Sequence, residues 1–518
     1  MDKIKILWAD DEIDLLKPQL LFLEQKGYNV VTVSNGYDAV EEYEQHSDID
    51  VVFLDESMPG MTGLETLSKI KGIDSNIPVV MITKNEAETL MEEAIGSQID
   101  DYLIKPVNPN QILLTLKKII DNQRLVREKT TSDYQQEFRQ ILMEINSGLN
   151  YDDWVNVYKK IINWELKLDN SNTESMSDIL AIQKSEANAE FCKFVMKHYL
   201  DWINEREEAP IFSHQLIKQK VLPHLQKKKP IILLVLDNLR FDQWKILEKT
   251  MISHYRVLSE EHFCSILPTS TQYSRNAIFA GMLPRDIERH YNKWWKNEND
   301  EGGKNMYEKE LLQSQLDRLV KGDIKMDYTK VTNLANGQQV EDQILNYLNN
   351  DLTVIVWNFI DMLSHARTEM EVLKELASNE RAYRSLTKSW FEHSPLWNAL
   401  QKVSDKDITL IVTTDHGTIR VGRPSKVVGD RETTTNLRYK LGRNLKYQRK
   451  DVLEVRDPQE AGLPSPNVSS AYIFAKEDLY FLYPNNYTYY NNYYRDTFQH
   501  GGISMEEMIC PIITLSGK

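Results

Sequence analysis

Residues Ile408 to Arg420 read ITLIVTTDHGTIR, an apolar run that ends in acid, histidine and glycine. Such a run of Ile, Val, Leu and Thr makes a strand buried on both faces, as in a parallel sheet, and parallel sheets present their ligands at the carboxyl ends of their strands. Asp415-His416-Gly417 therefore falls where a metal site can be built. Two other apolar runs end in the same way. LLVLDNLR carries Asp237, and IVWNFIDMLSH reads as a strand ending near Asp361, with His365 four residues on. His500 follows in HGG. In a doubly wound sheet all strand ends open on one edge, so these distant residues are expected to meet there.

Between the first two acids lies PTSTQYSRNAIFAGMLPRD, in which Pro268 precedes an expected helix that ends near Gly281. A hydroxyl at a helix N-terminus beside a metal can lose its proton and attack phosphorus. Thr271 is the candidate nucleophile, and chemistry alone does not separate it from Ser270 and Thr269. Imidazole and carboxylate together favour Zn²⁺ over Mg²⁺ as the metal.

The first 120 residues alternate strand and helix: IKILWA, a helix over Leu15 to Gln25, NVVTVS, a helix over Tyr37 to Gln45, DVVFLD, IPVVMI and DDYLIK. That alternation predicts a small parallel α/β sheet. Its strand ends carry Asp10, Asp11, Asp55, Thr83 and Lys105. Carboxylates gathered at one edge repel unless a hard cation such as Mg²⁺ joins them, and a lysine and a threonine nearby suit an incoming phosphoryl group.

Between these two α/β regions, Asn108-Pro109 reads as a helix start. From Ser132 to about Lys229 apolar residues recur at helical spacing, among them Trp154, Tyr158, Ile161, Phe191, Val195 and Tyr199. Loops NSGLNYDD and LDNSNTES separate them, which predicts a three-helix or four-helix bundle. His198, His214 and His224 lack a companion acid at ligand spacing and read as surface or core histidines.

The chain of 518 residues is long enough for two or three cores. Its net charge of −15 argues against a sequence-independent DNA binder. Three scattered cysteines, Cys192, Cys264 and Cys510, offer neither a disulfide frame nor a CxxC metal knot and suit a reducing compartment. With acids near the N-terminus and no apolar run approaching the roughly 18 residues of a span, neither a signal peptide nor a membrane span is expected, and a cytoplasmic location is. One local departure stands out: ten Lys or Arg between Arg420 and Lys450 face only Asp430 and Glu432. A run of that sign directly after DHG is expected to attract a polyanion such as an oligonucleotide, and the seven tyrosines from Tyr480 to Tyr494 are candidates for stacking on bases.

Residues 1 to about 120 resemble the response-regulator receiver domain. The resemblance implies Asp55 as phosphoacceptor, Asp10 and Asp11 with Asp55 as Mg²⁺ ligands, Thr83 as switch hydroxyl, Tyr102 as switch aromatic and Lys105 as phosphate contact. Residues 230 to 518 resemble the alkaline-phosphatase superfamily, most closely its PglZ branch. The motifs that carry this likeness are Pro268-x-x-Thr271 with Gly281 ten residues on, the DxxxH spacing of Asp361 and His365, and His500-Gly501. The ligand pattern is similar to that of the nucleotide pyrophosphatase/phosphodiesterases. It implies two Zn²⁺ ions, one among Asp237, Thr271, Asp415 and His416, the other among Asp361, His365 and His500. Phosphodiesterases of this superfamily commonly place an asparagine three residues after the nucleophile, where this chain has Ser274; Ser274, Arg275 and Asn276 are the candidates for holding the substrate phosphate.

The expected architecture is thus α/β multidomain: a flavodoxin-like receiver over 1–122, a helical bundle over 123–229 and an alkaline-phosphatase-like doubly wound α/β domain over 230–518. The whole order resembles the PorX-type response regulators of the type IX secretion system. That likeness implies a sensor histidine kinase as partner and contacts to a sigma factor or secretion-system component. Receiver domains commonly dimerise through the face that includes their last helix, so a homodimer is expected on phosphorylation. The expected activity is hydrolysis of a phosphodiester, a nucleotide or short oligonucleotide. The alternatives are a non-catalytic metal-bearing scaffold and a phosphomonoesterase.

Overall fold

The computed structural model describes residues 4–46, 48–74, 77–84, 99–169, 174–227, 229–298, 300–377 and 379–518, with backbone alone for 121–131, 174–175 and 371. The chain forms two compact units whose sequence boundary lies between Glu137 and Phe138. Among the described residues no helix is long and apolar enough to cross a membrane.

The first unit is built on a parallel sheet of β1 (Lys5–Ala9), β2 (Asn29–Val33), β3 (Val51–Asp55), β4 (Val79–Thr83) and β5 (Asp101–Ile104), in the order β2-β1-β3-β4-β5. Alternate residues of β1 and β3 feed two cores. Ile6, Trp8, Val51 and Phe53 enter one, while Leu7, Ala9, Val52 and Leu54 enter the other. The first helix does not begin at Leu15 as expected. A 3-10 turn occupies Ile13–Leu16, and the α-helix runs over Lys17–Gln25 with Pro18 in its first turn. Proline has no N–H to give to an i−4 carbonyl, so an α-helix tolerates it only at its start. The helix Gly36–Gln45 is capped by the Asn35 side chain, and Gly63–Ile73 opens on a reciprocal Thr62/Glu65 box.

Three long helices span the connector: Pro109–Ile145, Tyr151–Asp169 and Glu174–Ile203. The unit boundary falls within the first of these. The NSGLNYDD loop turns at Gly148, whose φ of +77° suits glycine; the LDNSNTES loop falls largely at 170–173, outside the described residues. Trp154, Tyr158, Ile161, Phe191, Val195 and Tyr199 are all buried, as their helical spacing predicts. The helices Tyr151–Asp169 and Glu174–Ile203 belong to the second unit.

The main sheet of that unit uses β6 (Ile231–Leu236), β7 (Tyr255–Cys264), β8 (Met326–Val331), β9 (Leu352–Trp357) and β10 (Thr409–Thr413). Short strands follow: β11 (Ile419–Arg420), β12 (Arg423–Lys426), β13 (Tyr439–Gly442), β14 (Val452–Val455), β15 (Ala471–Ala475), β16 (Leu479–Leu482) and β17 (Phe498–Gln499). The last strand, β18 (Ile509–Gly517), returns to the main sheet, whose order is β7-β18-β10-β6-β9-β8. β10, β6, β9 and β8 are parallel, and β18 runs antiparallel to both β10 and β7. Every residue of β6, β9 and β10 is buried, the signature of a sheet covered on both faces.

Candidate metal centre

Register places the strand tips level. Thr413 pairs with Val235 and Val235 with Val356, so β10, β6 and β9 end at one edge. Asp237 follows the end of β6, and Asp415-His416 follow β10 after Thr414. β7 leads through Ser265–Ser270 into the helix Thr271–Ala280, and the segment that carries His500 enters β18 at the same edge. Asp361 and His365 depart from expectation: β9 stops at Trp357, and both residues lie on the helix Phe359–Glu369. Their i,i+4 spacing puts them one turn apart on one helical face, about 6 Å between neighbours, where the same spacing along a strand would separate them by about 13 Å.

Two groups of ligand-type side chains result. Asp237, Asp415 and His416 offer donor atoms all within 4.8 Å of one another, and so do Asp361, His365 and His500. The His416 and His500 rings join the groups by stacking, with centroids 4.3 Å apart. Each ring is oriented through its other nitrogen. His416 Nδ1 lies 3.1 Å from the Gly417 carbonyl and His500 Nδ1 lies 3.2 Å from the Thr269 carbonyl. A carbonyl only accepts, so each Nδ1 carries the proton and each Nε2 keeps its lone pair for the site. The glycines after these histidines are spacers. A Cβ on Gly417 would stand 2.0 Å from the Glu506 carbonyl oxygen, and Gly501, at φ +120°, would press one against the Tyr439 ring.

Thr271 is the first residue of its helix, where unsatisfied backbone N–H groups favour a bound anion. Its Oγ1 lies 3.1 Å from His416 Nε2 and 3.4 Å from Asp237 Oδ1. Thr269 is spent elsewhere, donating to the Gly502 carbonyl and accepting from the Gly501 N–H. Ser274 is not brought to the cleft: its hydroxyl is buried 2.9 Å from Ser265 Oγ. Asn276 also points away and donates to the Lys304 carbonyl. Arg275 does reach the acids. Its buried guanidinium donates to Asp237 at 2.6 Å and to Glu308 at 2.6 Å.

Burial sets the charge states. It pushes the Asp361 carboxyl up to about 6, helped by the nearby Asp237 charge. It also raises Asp415, again with Asp237 adding to the effect. Burial works the same way on Asp237, but the Arg275 cation prevails and holds that carboxylate below its usual range. His500 is driven well below the ordinary imidazole value by burial and by the neighbouring His416. Asp415 Oδ2 is buried with no hydrogen-bond donor among the described residues. Raised acids, an orphan carboxylate oxygen and imidazoles oriented through Nδ1 with Nε2 toward the site are what a cation would satisfy, so the residues fit a pair of divalent metals.

Sequence reasoning missed three neighbours. The Asn305 amide donates to the Thr271 carbonyl at 3.0 Å, Glu308 anchors Arg275, and Lys330 donates to both Asn305 and Glu308. They come from the segment that follows Gly281 and from β8. The basic run also reads differently in three dimensions. Arg438 is buried against Glu507, Arg420 pairs with Asp496, Arg423 with Glu477 and Asp478, and Arg443 with Asp430 and Glu432. Lys440 is buried, and burial pulls it down to about 7. Much of the apparent excess is therefore neutralised locally. Of the tyrosines, Tyr480 is core, whereas Tyr487–Tyr494 is a helix with no buried residue on which Tyr489 and Tyr493 stack, as do Tyr490 and Tyr494.

In the first unit Asp10, Asp11 and Asp55 likewise offer donors within 4.8 Å of one another. Lys105 Nζ lies 2.9 Å from both Asp10 Oδ2 and Asp55 Oδ2. Burial raises the Asp55 carboxyl against the opposing pull of Lys105. The Thr83 hydroxyl donates to Glu56, and Tyr102 stands exposed.

The sequence matches three family models: a response regulator receiver domain over residues 6–117, a PorX response regulator linker domain over 124–203, and a BREX system PglZ alkaline phosphatase-like domain over 216–515. Similar curated proteins include a transcriptional regulatory protein CpxR homolog of Haemophilus influenzae, 33% identical over 118 residues, which are 22% of this chain and 50% of that protein. ZraR of Klebsiella oxytoca is 33% identical over 130 residues, 25% of this chain and 29% of the relative. The chain thus spans half or less of the length of these two relatives. Among solved structures, chemotaxis protein CheY4 of Vibrio cholerae is 28% identical and covers 23% of this chain and 98% of its own, with a TM-score of 0.22. The order of the three matched domains is the PorX-type architecture. Its receiver implies a sensor kinase as partner, and receiver and alkaline phosphatase-like domains generally use divalent metals. Because the third model covers more than half of the chain, the protein belongs to the PglZ alkaline phosphatase-like family, joined here to a response-regulator receiver.

Proposed function

We propose that the protein is a phosphorylation-controlled phosphodiesterase, with the receiver over 1–122, the helical connector over 123–229 and the hydrolase over 230–518. The observation that carries the reading is the position of Thr271 Oγ1, 3.1 Å from His416 Nε2 and 3.4 Å from Asp237 Oδ1, at the start of a helix. Asp237, Asp415 and His416, with Thr271, would hold one Zn²⁺, and Asp361, His365 and His500 the other. Bound there, the ions supply Lewis-acid polarisation of a phosphoryl oxygen and favour the alkoxide of Thr271.

The chain's own residues do the rest. Thr271 Oγ1 attacks phosphorus and forms an esterified phosphothreonine as one alcohol of the diester leaves, taking up the proton that Thr271 gives up; water then cleaves the threonine–phosphorus bond, restoring the Thr271 hydroxyl and releasing a phosphomonoester. The first helical turn after Ser270 offers N–H groups to the phosphoryl oxygens. Arg275 holds Asp237 ionised and in place, and Asn305 supports Thr271 through its carbonyl. Substrate would be a nucleotide or short oligonucleotide, a reading supported by the exposed Tyr489 and Tyr490, which stack on the half-buried Tyr493 and Tyr494.

Upstream, a sensor histidine kinase would phosphorylate Asp55 with Mg²⁺ held by Asp10, Asp11 and Asp55. Homodimerisation would follow. A cytoplasmic setting is supported by the scattered cysteines and the acids of the N-terminal stretch, and the type IX secretion pathway with a sigma factor or secretion-system component as partner by the PorX-type resemblance.

One observation favours the second reading, a non-catalytic scaffold. Arg275 already supplies a cation to Asp237 at 2.6 Å, where a metal would compete with it. Metal analysis together with hydrolysis of a chromogenic diester and its matching monoester separates the two. A metal-loaded protein that cleaves the diester faster supports the enzyme; a metal-poor, inactive one supports the scaffold.

A further inference from the structure

The helix Glu174–Ile203 lies within the region matched by the linker model, yet one of its faces grips the segment that follows His500. Lys184, Asn188 and Cys192 are spaced four residues apart and so lie on that face. Lys184 Nζ is 3.1 Å from Glu506 Oε1. Asn188 makes two bonds: Nδ2 donates to Glu506 Oε2 at 2.9 Å, and Oδ1 accepts from the Met505 N–H at 2.8 Å. Cys192 Sγ donates to the Ile503 carbonyl at 3.2 Å. Asn188, Glu506 and Glu507 are buried, so these bonds are made out of water.

The gripped segment touches both halves of the metal centre. Glu507 accepts from the Gly502 N–H at 2.9 Å, two residues after His500, and its carbonyl accepts from the Gly417 N–H at 3.2 Å, one residue after His416. The Glu506 carbonyl abuts Gly417 so closely that a Cβ there would stand 2.0 Å away. A shift of the segment Ile503–Glu507 is therefore felt at His416 and His500 together, the two rings that join the ligand groups.

We propose that Asn188 is a positioning residue: through Met505 and Glu506, the linker helix sets the relation between His416 and His500 and hence the metal-binding geometry. The inference rests on the proposed two-metal reading of the site. In this arrangement the linker does more than connect. Displacing its Lys184–Cys192 face would change metal affinity without touching a ligand.

Full-length protein stripped of metal and titrated with Co²⁺ tests this, because visible absorption reports ligand number and geometry independently of turnover. Asn188→Asp keeps the acceptor for Met505 but sets a carboxylate against Glu506. It should bind the weaker Co²⁺ about tenfold less tightly, with an altered spectrum, as disrupted support of metal ligands does. Adding Glu506→Gln restores a donor opposite the introduced carboxylate and should recover most of that affinity. Asn188→Ser, which removes both bonds without adding charge, should show the same loss as Asn188→Asp. Wild-type Co²⁺ affinity and spectrum in Asn188→Asp or Asn188→Ser, with only a lowered melting temperature, would overturn the positioning role. So would a loss that Glu506→Gln fails to rescue. A wild-type protein that takes up no Co²⁺ would instead overturn the metal reading beneath it.

Discussion

His416 and His500 stack at 4.3 Å between ring centroids and 21° between planes, although one follows β10 and the other precedes β18. Each donates Nδ1–H to a backbone carbonyl, and each is followed by a glycine that lets another part of the backbone or a tyrosine ring close in. The relationship places two imidazole lone pairs in neighbouring ligand groups and ties the groups into one centre.

Asp55 should accept a phosphoryl group from a small donor in the presence of Mg²⁺. It is the carboxylate at the tip of β3 that Lys105 contacts at 2.9 Å. Asp55→Ala should abolish labelling, measured on gels that separate phosphorylated from unphosphorylated protein. Undiminished labelling of that variant would move the acceptor elsewhere.

Lys440 should act on stability with a definite sign. Burial holds it at about 7 in the folded chain, whereas an unfolded lysine titrates near 10.4. Between these values the unfolded state binds more protons, so this group makes stability rise with pH from about 7 to about 10.4. Lys440→Met removes that dependence. Relative to wild type, the variant should be more stable at pH 7 than at pH 10, by up to a few kcal/mol in denaturant unfolding. An unchanged difference across that range would show that the ammonium is satisfied where it lies.

Tyr489, 64% exposed and stacked on Tyr493, should matter to oligonucleotides and not to small esters. A base stacked on an aromatic ring is worth about 1–3 kcal/mol. Tyr489→Ala should therefore raise KM for a short oligonucleotide roughly fivefold or more while leaving a chromogenic diester unchanged. Equal effects on both substrates would place the tyrosine in general support of the fold.

Phosphorylation should favour a dimer and raise oligonucleotide cleavage. A shift of this kind needs a few kcal/mol, within reach of one phosphoryl group and its contacts to Thr83 and Lys105. Light scattering and cleavage rates with and without beryllofluoride measure it. If neither mass nor rate changes, the receiver reports to an external partner.

The sheet and the meeting of Asp237 with Asp415 and His416 were legible because these residues follow apolar runs, and strand direction alone then collects them at one edge. Gly281 ending the helix Thr271–Ala280 was legible for a local reason: it sits at φ +62° as the cap. What escaped depends on the local backbone state or on partners distant in sequence. Asp361 and His365 share a helical face that an apolar run does not announce. The basic stretch looked unpaired because Glu477, Asp478, Asp496 and Glu507 neutralise it from beyond its own end. Ser274 looked like a substrate contact until the helix turned it toward Ser265. Asn188 gave no signal at all, since its role lies in two bonds to residues more than three hundred positions away.

The most direct test of the central claim is turnover of a chromogenic phosphodiester by wild type and Thr271→Val, with metal content measured on the same samples. Wild type should carry about two divalent ions per chain and cleave the diester faster than the monoester. Thr271→Val should retain most of the metal and lose at least about a hundredfold in kcat, the scale of removing a covalent nucleophile. Wild-type rates in the metal-loaded variant would contradict the account, because phosphorus would then be attacked by something other than Thr271.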